Sequence, residues 1–143
     1  MDHPRINDPI APTMEHTFSR TERLRKQSLI SKLLKEGKTF TLFPFRVSWI
    51  VHPTNEKTPV QVLISVPKHN FPNAVHRNRI RRLIRESYRL NKQIAVNPLT
   101  ARNQGLLLHI HYTSKEILPF RIVQEKIILL LQRLRREHEK VAG

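Results

Sequence analysis

The chain has 143 residues, with 26 Lys+Arg against 11 Asp+Glu and a formal net charge of +15, and its sequence pI is about 11.3. A hydrophobic fraction of 38% is lean but sufficient for one domain with one core. The lack of cysteine excludes a disulfide framework, and no apolar run approaches the roughly 18 to 20 residues that cross a bilayer.

The first segment, MDHPRINDPIAPTMEH, has three prolines and no periodicity, so residues 1–17 are expected to be a disordered tail, with Met14 an alternative start. Residues 18–143 form the expected domain. From Thr21 to Glu36, Leu24, Ile30, Leu33 and Leu34 fall broadly on one side, and Gly37 is a natural stop, which predicts a first helix. Strand patterns follow at Thr39 to Leu42, Phe45 to His52 and Val60 to Val66, the last alternating at Val60, Val62, Ile64 and Val66. The polar link from Pro53 to Pro59 suits a hairpin loop. Next comes a basic helix from Asn73 to Arg89, then a polar loop containing Pro98, a strand from Leu106 to Tyr112, and a last helix from Pro119 to Glu139. Its Phe120, Val123, Ile127, Leu130, Leu131 and Leu134 keep i, i+3, i+4 spacing, and Pro119 is tolerable in a first turn. The expected fold is thus a single-domain α+β sandwich of order αβββαβα.

The basic helix, NAVHRNRIRRLIRESYR, holds six arginines and one acid, Glu86. At about 100° per residue, Ile80, Leu83, Ile84, Ser87 and Leu90 share an arc, and Asn78, Arg81, Arg82, Arg85 and Arg89 lie opposite. Arg77 and Arg79 stand at the two borders. A merely solvated face normally mixes Glu with Lys at i, i+4 to limit self-repulsion; this one barely does, so a polyanion is the expected partner. Arginine, rather than lysine, suits phosphate forks and base stacking. Apart from Tyr88 the helix has no bulky aromatic to sink into a membrane interface. Nucleic acid is therefore expected rather than a membrane, in a cytoplasmic protein without a signal peptide.

Metal-dependent phosphodiester cleavage needs clustered carboxylates, yet the only aspartates are Asp2 and Asp8 in the tail. His109 and His111 alternate on a strand and so face the same way. They admit structural or RNA-contacting, catalytic and metal-binding readings. Zinc lacks cysteine or a helical HxxxH pair. No self-sufficient catalytic residue set and no metal site are expected.

The run from Ile64 to Arg89, ISVPKHNFPNAVHRNRIRRLIRESYR, with ERLRK upstream, resembles the signature of the bacterial ribonuclease P protein component. The likeness in element order runs from about Phe18 to the last helix. It implies a subunit of a ribonucleoprotein that removes the 5′ leader of precursor tRNA, with catalysis in the RNA subunit and its Mg²⁺ ions. It also implies an unusual left-handed crossover between parallel strands, against the usual rule. By the same resemblance, Arg77, Asn78, Arg79, Arg81, Arg82 and Arg85 dock on the catalytic RNA. The resemblance also implies that the 5′ leader lies in a cleft between the first helix and the sheet, near Lys68, His69, Ile30, Leu34 and Phe18.

Two departures matter. Ile30 and Leu34 stand where many relatives carry aromatics, so leader binding leans on charge, or on Phe18 and Phe40 nearby. The basic pair after the third strand reads Lys68 and His69, which makes Lys68 the surer phosphate contact, since imidazole is largely neutral at pH 7. Charge and fold alone equally permit a ribosomal-RNA-binding or RNA-chaperone protein without enzymatic activity. A DNA-binding helix-turn-helix is poorer, because the arginine helix follows a strand.

Overall fold

The computed structural model describes residues 22–53, 59–101 and 104–142. The elements are α1 (Gln27–Glu36), β1 (Lys38–Leu42), β2 (Phe45–Pro53), β3 (Val60–Ser65), α2 (Ala74–Asn91), α3 (Gln93–Ala101), β4 (Gln104–Tyr112) and α4 (Phe120–Ala142). The expected tail and Phe18 lie outside the described residues.

Leu106, Leu107 and Leu108 are all buried, as befits a strand covered on both faces. Accordingly β4 lies inside the sheet, whose order is β1-β2-β4-β3. It pairs antiparallel with β2 and parallel with β3. The hairpin expected between β2 and β3 is therefore absent, because β4 separates them. The tight hairpin is instead β1–β2, with Leu42 paired to Phe45 across Phe43–Pro44, whose peptide bond is cis.

Period-two alternation divides the sheet's side chains between two layers. On one face Phe45, Val47, Trp49, Val60, Val62, Leu106, Leu108, Ile110 and Tyr112 meet Ile80, Ile84 and Tyr88 of α2, and Val123, Ile127, Leu130 and Leu131 of α4. On the other face Leu107 packs with Leu33 of α1 and with Leu24, forming a smaller core. The α+β class holds.

Three local expectations change. Residues 23–26 are not helical: Arg23 bridges Val62 in parallel fashion, and the Leu24 N–H donates to the Val62 carbonyl at 2.9 Å. The exposed edge of β3 offers these backbone partners, and pairing there wins over a helix whose apolar spacing Leu24 only happens to match. Second, the expected Pro98 loop is largely helix α3, in which Ala95 and Leu99 are buried four residues apart. Lys92 separates it from α2, and the Lys92 carbonyl accepts from the Ala95 and Val96 N–H groups. The element order is αβββααβα. Third, on α2 Leu90 is 42% exposed while Tyr88 is fully buried, so the apolar arc is rotated toward Tyr88.

Gly37 ends α1 with extended backbone, φ −69° and ψ 151°, not the left-handed cap. Its value is close approach: a Cβ there would lie 2.4 Å from the Leu33 carbonyl oxygen.

Candidate RNA interface

Asn73 caps α2, its Oδ1 accepting from the Val75 N–H at 2.8 Å. This satisfies a backbone donor at the helix start and aims the following turn. From there the arginines divide by role. Asn78, Arg79 and Arg82 are exposed. Arg81 is half-buried and donates to Asn78 Oδ1 at 3.0 Å. Arg77 uses Nη1 to donate to the carbonyls of Phe71 and Pro72, both at 2.8 Å, so it braces the turn entering the helix. Arg89 is paired with Glu86, Nε to Oε2 at 3.1 Å, and that carboxylate is held below its ordinary pKa by the Arg89 hydrogen bond. Among the described residues, charge without a carboxylate partner is thereby concentrated toward the start of α2.

Arg85 points elsewhere. With Arg23 and Arg25 it lines a cavity of about 170 Å³ against Leu24, Val62, Leu63 and Ile64. Burial first, then the positive charges of Arg23 and Arg81, lower its pKa. Sequence periodicity missed Arg23 and Arg25 because their segment joins Arg85 only through its pairing with β3.

A second polar surface lies on the α1 side of the sheet. Leu107 fixes the face, so His109 and His111 share it. Their cross-strand partners are Ser48 and Arg46 on β2, and Leu63 and Ser65 on β3. Thr39 and Thr41 continue it on β1, opposite Ser48 and Arg46, with Thr39 Oγ1 3.3 Å from Ser48 Oγ. Ser65 Oγ lies 2.7 Å from both His109 Nε2 and His111 Nδ1. Burial is the main cause holding His109 down to about 4, with His111 and Arg46 adding to it. His111 is lowered by burial, then Arg46 and His69.

Lys68 and His69, both exposed, follow β3 and connect this surface to the start of α2. On α1, Ile30 is half-buried against the smaller core, whereas Leu34 is 61% exposed and belongs to no core. Arg46 and Ser65 escaped the sequence reading, since neither a lone arginine nor a lone serine on a strand carries a motif.

Among the described residues no group of three or more His, Cys, Asp or Glu could hold a metal ion. Among the same residues no helix is long and apolar enough to cross a membrane.

The family model described as Ribonuclease P matches residues 18–135. The chain belongs to the ribonuclease P protein family. It is 36% identical over 107 residues to the ribonuclease P protein component of Porphyromonas gingivalis, covering 75% of this chain and 78% of that one. It is 41% identical over 81 residues to that of Clostridioides difficile, covering 57% and 68%. Among solved structures, the ribonuclease P protein of Thermotoga maritima superposes with a TM-score of 0.62 at 26% identity, over 78% of this chain and 96% of that chain. The Staphylococcus aureus protein shares the fold, with a TM-score of 0.58 at 22% identity over 80% and 95%. For a member of this ribonuclease P family, the two polar surfaces joined at Lys68 and His69 become the natural places to look for RNA.

Proposed function

We propose that this chain is the protein subunit of a ribonucleoprotein endoribonuclease that frees the 5′ end of precursor tRNA, and that it positions RNA without cutting it. The observation that carries this reading is the start of α2, where Asn78, Arg79 and Arg82 are exposed with no carboxylate paired to them among the described residues. Such a surface suits the phosphates of a folded catalytic RNA. Duplex RNA hides its base edges in a deep narrow groove, so backbone shape and junction bases are what arginines there would read.

The polar surface across the sheet, bounded by α1, is the proposed groove for the 5′ leader. Its floor is Arg46, Ser48, Ser65, His109 and His111, with Lys68 and His69 at the mouth. Leu34 adds an apolar contact for a base, in place of an aromatic stack worth about 1 to 3 kcal/mol per base. Two RNAs repel strongly, and a cation seated between them lowers that cost while the groove favours substrate that still carries a leader. Mg²⁺ chemistry would then belong to the RNA subunit.

The test combines purified protein, a bacterial ribonuclease P RNA and precursor tRNA at near-physiological Mg²⁺, with each component alone as control. Leader release only in the complete mixture at low Mg²⁺ is expected. Cleavage by the protein alone would sink the positioning role, and tight RNA binding without stimulation would favour a ribosomal-RNA-binding or chaperone protein.

A further inference from the structure

Ser65, His109 and His111 hold more chemistry than a polar floor requires. One hydroxyl stands 2.7 Å from a ring nitrogen of each histidine, and the ring centroids are 6.0 Å apart. A serine hydroxyl has one proton to donate and two lone pairs that accept. In one pair of neutral tautomers, one ring donates its N–H to Oγ while the O–H donates to the lone pair of the other. Both contacts are then satisfied, and the hydroxyl has no proton left for a ligand.

One added proton rearranges this chain. Placed on the accepting ring nitrogen, it leaves both rings donating to Oγ, and the serine O–H is released to donate outward. The same proton supplies a full positive charge. A trio that is neutral and self-satisfied thus becomes a cation with a free hydroxyl donor, the combination a phosphate oxygen accepts best.

The surroundings oppose that proton until an anion arrives. From β2, Arg46 is the register partner of His111 and acts on both rings. From the segment after β3, His69 acts on His111, and Lys68 stands beside it in sequence. From β4, His111 acts on His109. The neighbouring Ser48 and Thr41 are uncharged. Among the described residues, the charges named as acting on the pair are positive, so burial and repulsion together favour the neutral imidazoles. A phosphodiester would cancel the repulsion and supply an acceptor in the same step.

We propose that Ser65, His109 and His111 form a proton-linked phosphodiester site, at which an RNA strand entering the groove seats one phosphate and takes up one proton with it. This rests on the groove assigned above and adds the atoms and the linkage. Strand affinity rises as pH falls, by up to about tenfold per pH unit where the free site is neutral and the bound site protonated. The reacting-centre RNA has no part in it.

The experiment titrates the full-length protein with a short oligouridylate, whose uracils and phosphodiesters do not titrate between pH 5.5 and 8. Calorimetry in two buffers of different ionisation enthalpy counts protons taken up per strand. Imidazole carbon-bound proton resonances report the titration of His109 and His111 in the unaltered protein. Expected are uptake approaching one proton, affinity that climbs as pH falls, and both histidines titrating at higher pH with the strand present. In a His109→Gln/His111→Gln protein, proton uptake disappears and affinity becomes the same at pH 6 and pH 8. Strand binding without proton uptake, with unshifted histidine titrations, overturns the site and leaves the groove standing; uptake that persists in the double variant also overturns it. No binding of oligouridylate at any pH removes the groove reading itself, and the site with it.

Discussion

Lys92 Nζ lies 2.8 Å from Glu22 Oε2, and their side chains are only 5% and 6% exposed. The pair joins the segment before α1 to the junction of α2 and α3, and burial of Tyr88 beside the Glu22 charge raises that phenol's pKa. Removing one member strands the other in low dielectric. Glu22→Ala should lower unfolding free energy by about 3 to 5 kcal/mol, and the paired change Glu22→Leu/Lys92→Met by clearly less. Urea denaturation compares them; equal losses would show that the charges do not depend on each other.

Arg77 and Arg82 should separate folding from docking. Arg77 braces the Phe71 and Pro72 carbonyls, so Arg77→Ala is expected to cost about 1 to 3 kcal/mol of stability as well as RNA affinity. Arg82 is exposed with no hydrogen bond or ion pair among the described residues, and Arg82→Ala should change stability by no more than about 0.5 kcal/mol. Its loss should appear in RNA binding. Thermal melts beside filter binding decide the matter, and a large drop in melting temperature for Arg82→Ala would mean the face is wrongly assigned.

Salt dependence measures how many phosphates are engaged. If about six are neutralised, log K for the catalytic RNA should fall against log salt with a slope of roughly −4 to −5. Arg82→Ala should make the slope shallower by about one. A slope near −1 in the unaltered protein would contradict docking through the arginine face.

Acid should weaken the fold through the histidine pair. His109 is held down to about 4 in the folded chain and His111 is lowered too, whereas an unfolded histidine titrates near about 6.5. Below that value the unfolded chain binds more protons, so stability complete above about pH 6.5 is lost progressively as pH falls toward 4. Urea midpoints at pH 7.5 and pH 5 should differ, and His109→Gln should narrow the difference. An unchanged gap would place the acid sensitivity elsewhere.

Much of this protein follows from local pattern. Alternation at Val60, Val62 and Ile64 marks β3, the apolar arc through Ile80 and Ile84 sets the buried side of α2, and the Ile64 to Arg89 run carries the family signature. These are near-neighbour properties, decided by backbone geometry and the side of an element that must leave water. What failed was also local reasoning: Leu24 matched helical spacing, yet its N–H bonds to the Val62 carbonyl, and Pro98 suggested a loop where Ala95 and Leu99 bury a helix.

Sequence alone determined the charge, the arginine helix and the α+β class. Only tertiary structure decided that β4 enters between β2 and β3, that Arg77 turns back on its own loop, and that Arg85 faces Arg23. It alone brought Ser65 to His109 and His111, 44 and 46 residues away. The reason is physical: periodicity assigns each residue a face, but a shared hydroxyl depends on strand order and register, which are settled when distant strands compete for the same edge.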